Sequence, residues 1–192
     1  GKGLIVASGH IGNWELMGSI FGIQGYHGGV IGKRIYYDKY NELIVGARRA
    51  KGVPTFYQDE NPREIVRELR RGGVIGLVAD QDVERLEGVF VDYFGKPSYT
   101  PTAPVKLAQL SGAPMLVGAL VRKGYRYEIV FDPEPIRVER EADEAKIAQL
   151  TGQWSKILEK IISEYPDQWV WMHDRWKTKA GTQDARSKTQ DE

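Results

Sequence analysis

At 192 residues, 41% of them hydrophobic, the chain is long enough for one substantial core or at most two small ones. It has no cysteine, which excludes disulfides, thiolate zinc sites and a cysteine nucleophile. The formal charge of +1 hides a local imbalance: basic residues outnumber acidic ones from Lys33 to Arg71, while Asp80, Asp82, Glu84, Glu87 and Asp92 make the next stretch acidic.

No run approaches the ~20 apolar residues of a membrane span, and nothing at the start resembles a signal peptide. The chain enters a core strand within three residues, which predicts a preceding portion in a longer protein. That strand, roughly 3 to 8, ends in Ser8-Gly9-His10. Asn13 then caps a helix reaching Gln24, with Trp14, Met17, Ile20, Phe21 and Ile23 at helical spacing and Gly25 as its stop. His27 to Gly32 reads as a second strand delivering Lys33 and Arg34. A helix over 38–51 is predicted to turn Leu43, Ile44 and Ala47 inward, and Val53 to Tyr57 is a third strand.

Asn61-Pro62 opens another helix, whose Ile65, Val66 and Leu69 form its buried stripe. The unbroken apolar run Val74 to Ala79 reads as a central strand covered on both faces, delivering Asp80-Gln81-Asp82 to its end. Gly88 to Phe94 is read as an extended edge segment, and Thr100-Pro101 as the start of a helix to Leu110. Pro114–Val121 and Tyr125–Phe131 suggest a hairpin around Lys123-Gly124. Ile147, Leu150, Trp154, Ile157, Leu158, Ile161 and Ile162 recur every three or four residues, which predicts the longest helix, stopped by Pro166. From Thr178 the sequence is polar and is expected to be a disordered tail, leaving one domain over 1–177 and the tail over 178–192.

Alternating strands and helices predict an α/β fold: a mixed, mainly parallel sheet flanked by helices. Ligands of such sheets gather at the carboxyl ends of the strands. Three ends carry polar groups: Ser8 to Glu15, Lys33-Arg34, and Asp80 to Asp82. With His10 in the loop and Glu15 in the helix behind it, Glu15 can accept the Nδ1 proton and leave Nε2 to take a proton from a hydroxyl. The backbone amides of Gly12 and Asn13 would then receive an anionic oxygen. Spacing alone leaves an alternative open, in which His10 bonds a loop carbonyl and Glu15 is a capping acid. Arg34 suits a phosphate or carboxylate, although taken alone surface solvation is the commoner explanation of such a residue. Asp80 and Asp82 also admit a divalent metal, as in a metal-dependent glycosyltransferase. His27 reads as structural. His173, among Trp169, Trp171 and Trp176, reads as packing or as part of a bilayer-interface surface. Serine-elbow, Walker, zincin and dinucleotide motifs are missing, and the basic run lacks nucleic-acid module signatures, so no nucleic-acid partner is expected.

The His-x-x-x-x-Glu element at 10–15 and Arg-Gly-Gly-Val-Ile-Gly-Leu-Val-Ala-Asp-Gln-Asp at 71–82 resemble the lysophospholipid acyltransferase superfamily, and within it the bacterial lipid A biosynthesis (lauroyl/myristoyl) acyltransferases. Gly88-Val89-Phe90-Val91, Phe94-Gly95-Lys96-Pro97, Thr100-Pro101-Thr102, Ser111-Gly112-Ala113-Pro114 and the Tyr165-Pro166-Asp167-Gln168-Trp169 to Trp176-Lys177 ending fit the same pattern. The resemblance implies a glycerolipid acyltransferase-like fold and O-acyl transfer from an acyl carrier protein or acyl-CoA thioester to a hydroxyl of a lipid A precursor or related lipid. It implies His10 as base, Glu15 as its orienting partner, and substrate contacts at Arg34, Asp80, Asn13 and Gln81, with no metal and no cofactor. It also implies work at a membrane surface, the cytoplasmic face of the bacterial inner membrane, with an N-terminal anchor outside this chain. The basic 33–71 flank would suit an acidic carrier protein. A non-catalytic lipid-binding module is the remaining alternative.

Overall fold

The computed structural model describes residues 3–180. In chain order come β1 (Leu4–Ser8), α1 (Trp14–Ile23), β2 (Gly28–Gly32), α2 (Asp38–Arg49), β3 (Thr55–Tyr57), α3 (Arg63–Arg70), β4 (Val74–Val78), β5 (Gly88–Tyr93), β6 (Lys96–Pro101), α4 (Ala103–Ser111), β7 (Met115–Lys123), β8 (Arg126–Phe131) and α5 (Glu144–Glu164). Six strands form one sheet in the order β3-β2-β4-β1-β7-β8, parallel except for β8, while β5 and β6 pair as a separate antiparallel ribbon. This is the expected mixed α/β architecture.

Period-two alternation divides the central strands between two cores. Ile5 and Ala7 of β1, Ile75 and Leu77 of β4, and Met115 and Val117 of β7 pack with α3, α4 and α5. Val6 joins Met17 of α1 in a smaller cluster on the other face. α5 contributes the largest buried side chain, Trp154 at 1% exposure, and truncating it to alanine would cost about 3–5 kcal/mol. The helix starts where Asp143 accepts the Lys146 N–H at 2.8 Å. Asn13 caps α1 in the same way, its Oδ1 taking the Leu16 N–H at 2.9 Å.

Three expectations change. Pro101 does not open a helix: it ends β6 opposite Gly88, at the edge of a two-stranded ribbon where its missing N–H costs no ladder bond, and α4 begins at Ala103. In α2, Leu43 and Ala47 face solvent, and the one buried residue is Asn41. This helix lies against β3, a three-residue edge strand that offers little surface to cover. Thr178 is not the start of a polar tail, since it is buried and donates both its N–H and its hydroxyl to Asp82, at 2.9 and 2.7 Å. Residues 181–192 of the expected tail lie outside the described residues.

Candidate active site

His10 sits where β1 gives way to α1, and two glycines permit the geometry. A Cβ on Gly9 would stand 2.9 Å from Asp80 Oδ2. Gly12 has φ +61°, and a Cβ there would meet the Leu120 carbonyl oxygen at 2.0 Å. The chain can therefore turn tightly between Asp80 on one side and β7 on the other.

Asp80, at the end of β4, holds the histidine at two points. Its Oδ1 lies 2.7 Å from His10 Nδ1, and its Oδ2 accepts the His10 backbone N–H at 2.9 Å. The Trp169 indole N–H also donates to Oδ2, at 2.9 Å. Burial alone would raise the Asp80 pKa, but the hydrogen bond and charge of His10, with the Trp169 and backbone donors, outweigh it and hold the carboxyl below its ordinary range. An ionised carboxylate only accepts, so Nδ1 carries the proton, and the neutral imidazole would then present its lone pair at Nε2. Trp14 packs edge-on against the imidazole at 5.0 Å between ring centroids.

The C-terminal segment closes the site from behind. Gln168 O accepts the Gly12 N–H at 2.9 Å, and Val170 N–H donates to His10 O at 3.0 Å. His173 Nε2 accepts the Asp82 N–H at 3.0 Å. Arg175, 1% exposed, donates to Ser98 Oγ, Tyr99 O and Thr100 Oγ1, and its guanidinium lies 4.8 Å from the Tyr93 ring centroid. Burial lowers the Arg175 pKa, while Tyr93, Asp80 and Asp82 oppose that shift. The turn 80–82 thus holds two histidines, one by a side chain and one by a backbone amide.

His10 lines a cavity of about 910 Å³ with Lys33, Gln81, Lys106, His173 and Lys177 among its polar walls. Beneath α1, on the opposite face of the sheet, lies a narrow slot of about 70 Å³ whose wall is mostly apolar side chains and glycines, Gly18, Gly22, Gly28, Gly29 and Gly76 among them. Ile31, Leu77 and Val78, at the carboxyl ends of β2 and β4, border both spaces. A third, basic cleft of about 480 Å³ is ringed by Arg63, Arg67, Arg70 and Arg71, and shares Pro62 and Leu110 with the large cavity.

Several site expectations are corrected by this geometry. Glu15 does not meet His10 Nδ1: its carboxylate forms a bidentate pair with Arg48, Nε to Oε2 at 2.9 Å and Nη2 to Oε1, which ties α1 to α2. Asp80, expected at substrate, has its carboxylate filled by protein donors. The amides of Gly12 and Asn13 are not available to an oxyanion, since they donate to Gln168 O and Leu120 O, and Asn13 Oδ1 is spent on its cap. Arg34 is not among the residues lining the large cavity: it packs on Tyr57, 3.9 Å from the ring centroid, and reaches Glu60 at 3.5 Å, while Lys33 turns to the cavity. Gln81 does line it. Asp80 and Asp82, candidates for a metal, are occupied by His10 and Trp169 and by Thr178. His27 pairs with Glu68 at 2.6 Å, consistent with a structural role. Sequence reasoning missed His173 as a cavity residue and Trp169 as a partner of Asp80; the only signal was their place in the dense aromatic and basic run 169–177.

Residues 1–178 match the family model described as bacterial lipid A biosynthesis acyltransferase. The chain belongs to this family. Among relatives, it is 28% identical over 183 residues to the lipid A biosynthesis palmitoleoyltransferase of Escherichia coli, covering 93% of this chain and 57% of the relative. It is 27% identical over 185 residues to the lipid A biosynthesis lauroyltransferase of the same organism, covering 93% and 57%. It is 26% identical over 182 residues to the phosphatidylinositol mannoside acyltransferase of Mycobacterium tuberculosis, covering 92% and 55%. The chain therefore spans a little over half the length of these relatives, and the match to the lipid A acyltransferase family covers both the β1–α1 turn and the C-terminal closure.

Proposed function

We propose that this protein is an O-acyltransferase that moves a fatty acyl chain from a thioester donor to a hydroxyl of a lipid, with His10 as general base. The observation that carries the reading is the Asp80-bound His10 in the wall of a cavity of about 910 Å³ that combines an apolar lining with a few basic and amide side chains. The cavity has room for both substrates: Ile31, Ile65, Leu77 and Leu107 suit an acyl chain, and Lys33, Gln81, Lys106 and Lys177 suit a head group bearing the acceptor hydroxyl.

In the step we propose, the acceptor oxygen attacks the thioester carbonyl while its proton passes to His10 Nε2. The imidazolium so formed is stabilised by Asp80 through Nδ1–H. Collapse of the tetrahedral intermediate forms the ester, breaks the C–S bond and releases the thiolate, which takes the proton from His10. No enzyme nucleophile is needed. Family membership and the relatives' names support a lipid acceptor, and we take it to be a lipid A precursor or a related lipid such as a phosphatidylinositol mannoside. We place the reaction at the cytoplasmic face of the bacterial inner membrane. The donor we favour is acyl carrier protein, because the four-arginine cleft beside the cavity suits an acidic partner; acyl-CoA is the other candidate.

Mass spectrometry of products from the full-length protein, offered carrier-linked and CoA-linked acyl chains with a panel of lipid acceptors, tests the reading. An acyl ester formed by wild type and lost in His10→Ala is the expected result. No transfer to any lipid hydroxyl, or transfer at the wild-type rate by the variant, would overturn it.

A further inference from the structure

α2 carries its apolar stripe on the outside. Residues 36, 40, 43 and 47 repeat at the spacing of an amphipathic helix, and yet Tyr36, Tyr40 and Leu43 are 90%, 58% and 69% exposed, with Ala47 exposed beside them. Asn41, Ile44, Val45 and Arg48 are covered instead, centred roughly 120° round the helix from the stripe. Tyr37 adds a further exposed ring at the helix start.

The patch is built rather than slack. Asn41 Oδ1 accepts the Ile35 N–H at 3.1 Å, and its Nδ2 donates to Tyr57 Oη at 2.9 Å, so the loop leading into α2 is pinned to β3. The rings of Tyr36 and Tyr37, and of Tyr37 and Tyr40, meet edge to face at 5.1 and 6.1 Å. Lys39, and Lys33 just before the helix, edge the stripe without carboxylate partners among the described residues, while Asp38, Glu42 and Arg49 lie round the helix from it. The face is net positive. Because α2 follows β2, its aromatic end stands at the carboxyl rim of the sheet, next to Lys33 in the wall of the His10 cavity.

We propose that this face, Tyr36, Tyr37, Tyr40 and Leu43 with Lys33 and Lys39 at its edge, is the surface by which the protein lies on an anionic lipid bilayer. Tyrosine suits that boundary, with an apolar ring and a hydroxyl that stays among head groups. Lysines at the edge add attraction to acidic lipids. Among the described residues no helix is long and apolar enough to cross a membrane, so this is contact along a surface. The proposal draws on the acyltransferase reading for why the cavity mouth should face lipid. The binding itself needs no turnover, so either idea can fail without the other.

The test is flotation of the 192-residue chain with vesicles of phosphatidylcholine alone or mixed equally with phosphatidylglycerol. Wild type should float with the mixed vesicles. Joint replacement Tyr36→Ser, Tyr40→Ser and Leu43→Ser should weaken binding by at least about tenfold, the loss expected from even one side chain withdrawn from the bilayer. Lys33→Glu with Lys39→Glu should abolish the preference for the acidic vesicles. Ile23→Ser, exposed at the opposite end of α1, should leave both unchanged, and matched circular dichroism melts will show that all variants fold. Wild type that does not float, or a triple variant that floats as well, overturns the proposal. So does a triple variant that only converts a dimer to a monomer in sedimentation velocity, which would assign the face to a second copy.

Discussion

His10 Nδ1 and Asp80 Oδ1 stand 2.7 Å apart, and the second Asp80 oxygen takes the His10 main-chain N–H at 2.9 Å, so one carboxylate fixes both the ring and the backbone of the histidine. Asp80→Asn separates these two duties. Two N–H donors, from His10 and Trp169, already point at the Oδ2 position and will select the amide oxygen there. The amide NH₂ then faces Nδ1, which must become an acceptor, and the proton moves to Nε2. The base is lost with its position intact. Steady-state kinetics should show kcat down by about 10²–10⁴ with little change in KM for the acceptor. A loss of only a few-fold would remove Asp80 from the mechanism.

Glu15 pairs with Arg48 in this structure, and a double-mutant cycle can establish whether any contribution it makes to activity runs through that pair. Glu15→Ala and Arg48→Ala should lower acyl transfer by similar factors, and the double variant should be little worse than either. Were Glu15 to act on His10 directly, Arg48→Ala alone would be nearly silent and the two losses would multiply.

The pH dependence of stability should report His173. Its pKa is pushed below the ordinary 6.5, first by burial and then by Lys177, with Arg175 adding to the lowering and Asp80 and Asp82 opposing it. The unfolded chain therefore takes up this proton before the folded one does. The histidine's contribution is complete above the ordinary value and is lost as the pH falls through it toward the depressed value. His173→Gln keeps an acceptor for the Asp82 N–H and removes the titration. Between about pH 7.5 and about pH 5.5, Tm should drop further for wild type than for this variant, and parallel slopes would argue against the assignment.

The donor can be read from the arginine cleft. Arg63→Glu, Arg67→Glu and Arg71→Glu together should slow transfer from a carrier-linked acyl chain by about tenfold or more, mainly through association, while leaving transfer from acyl-CoA close to wild type. Arg70 is left in place because its guanidinium donates to Leu110 O at 2.8 Å and supports the fold. Equal losses with both donors would show that the cleft does not recognise a carrier.

The β1–α1 turn, the central β4 run and the long α5 were legible because local signals agree there: an apolar run or periodic stripe, a capping residue and a stop. The place of His10 in the loop between β1 and α1 was legible for the same reason. Its partner was not. Glu15 lies five residues away and Asp80 seventy, and which carboxylate meets Nδ1 depends on β4 lying beside β1, a pairing that carries no local mark in the sequence. The outward stripe of α2 failed differently, because periodicity finds an apolar face and cannot say whether the fold or something outside it covers that face. Strand β6 was hidden by Thr100-Pro101, which marks a helix start as readily as the end of an edge strand.

The hold of residues 168–178 on His10, Gly12, Asp80, Asp82 and Ser98–Thr100 sets an order of assembly. A chain emerging from the ribosome can pair β1 with β4 and β7 well before Trp169 has been made. The tenth residue has its acid by then, but the acid lacks its indole donor and the loop lacks its rear wall. The histidine loop is thus made well before it is finished, so a nascent or truncated chain ending at Pro166 would have a sheet and a His10–Asp80 pair without its rear wall.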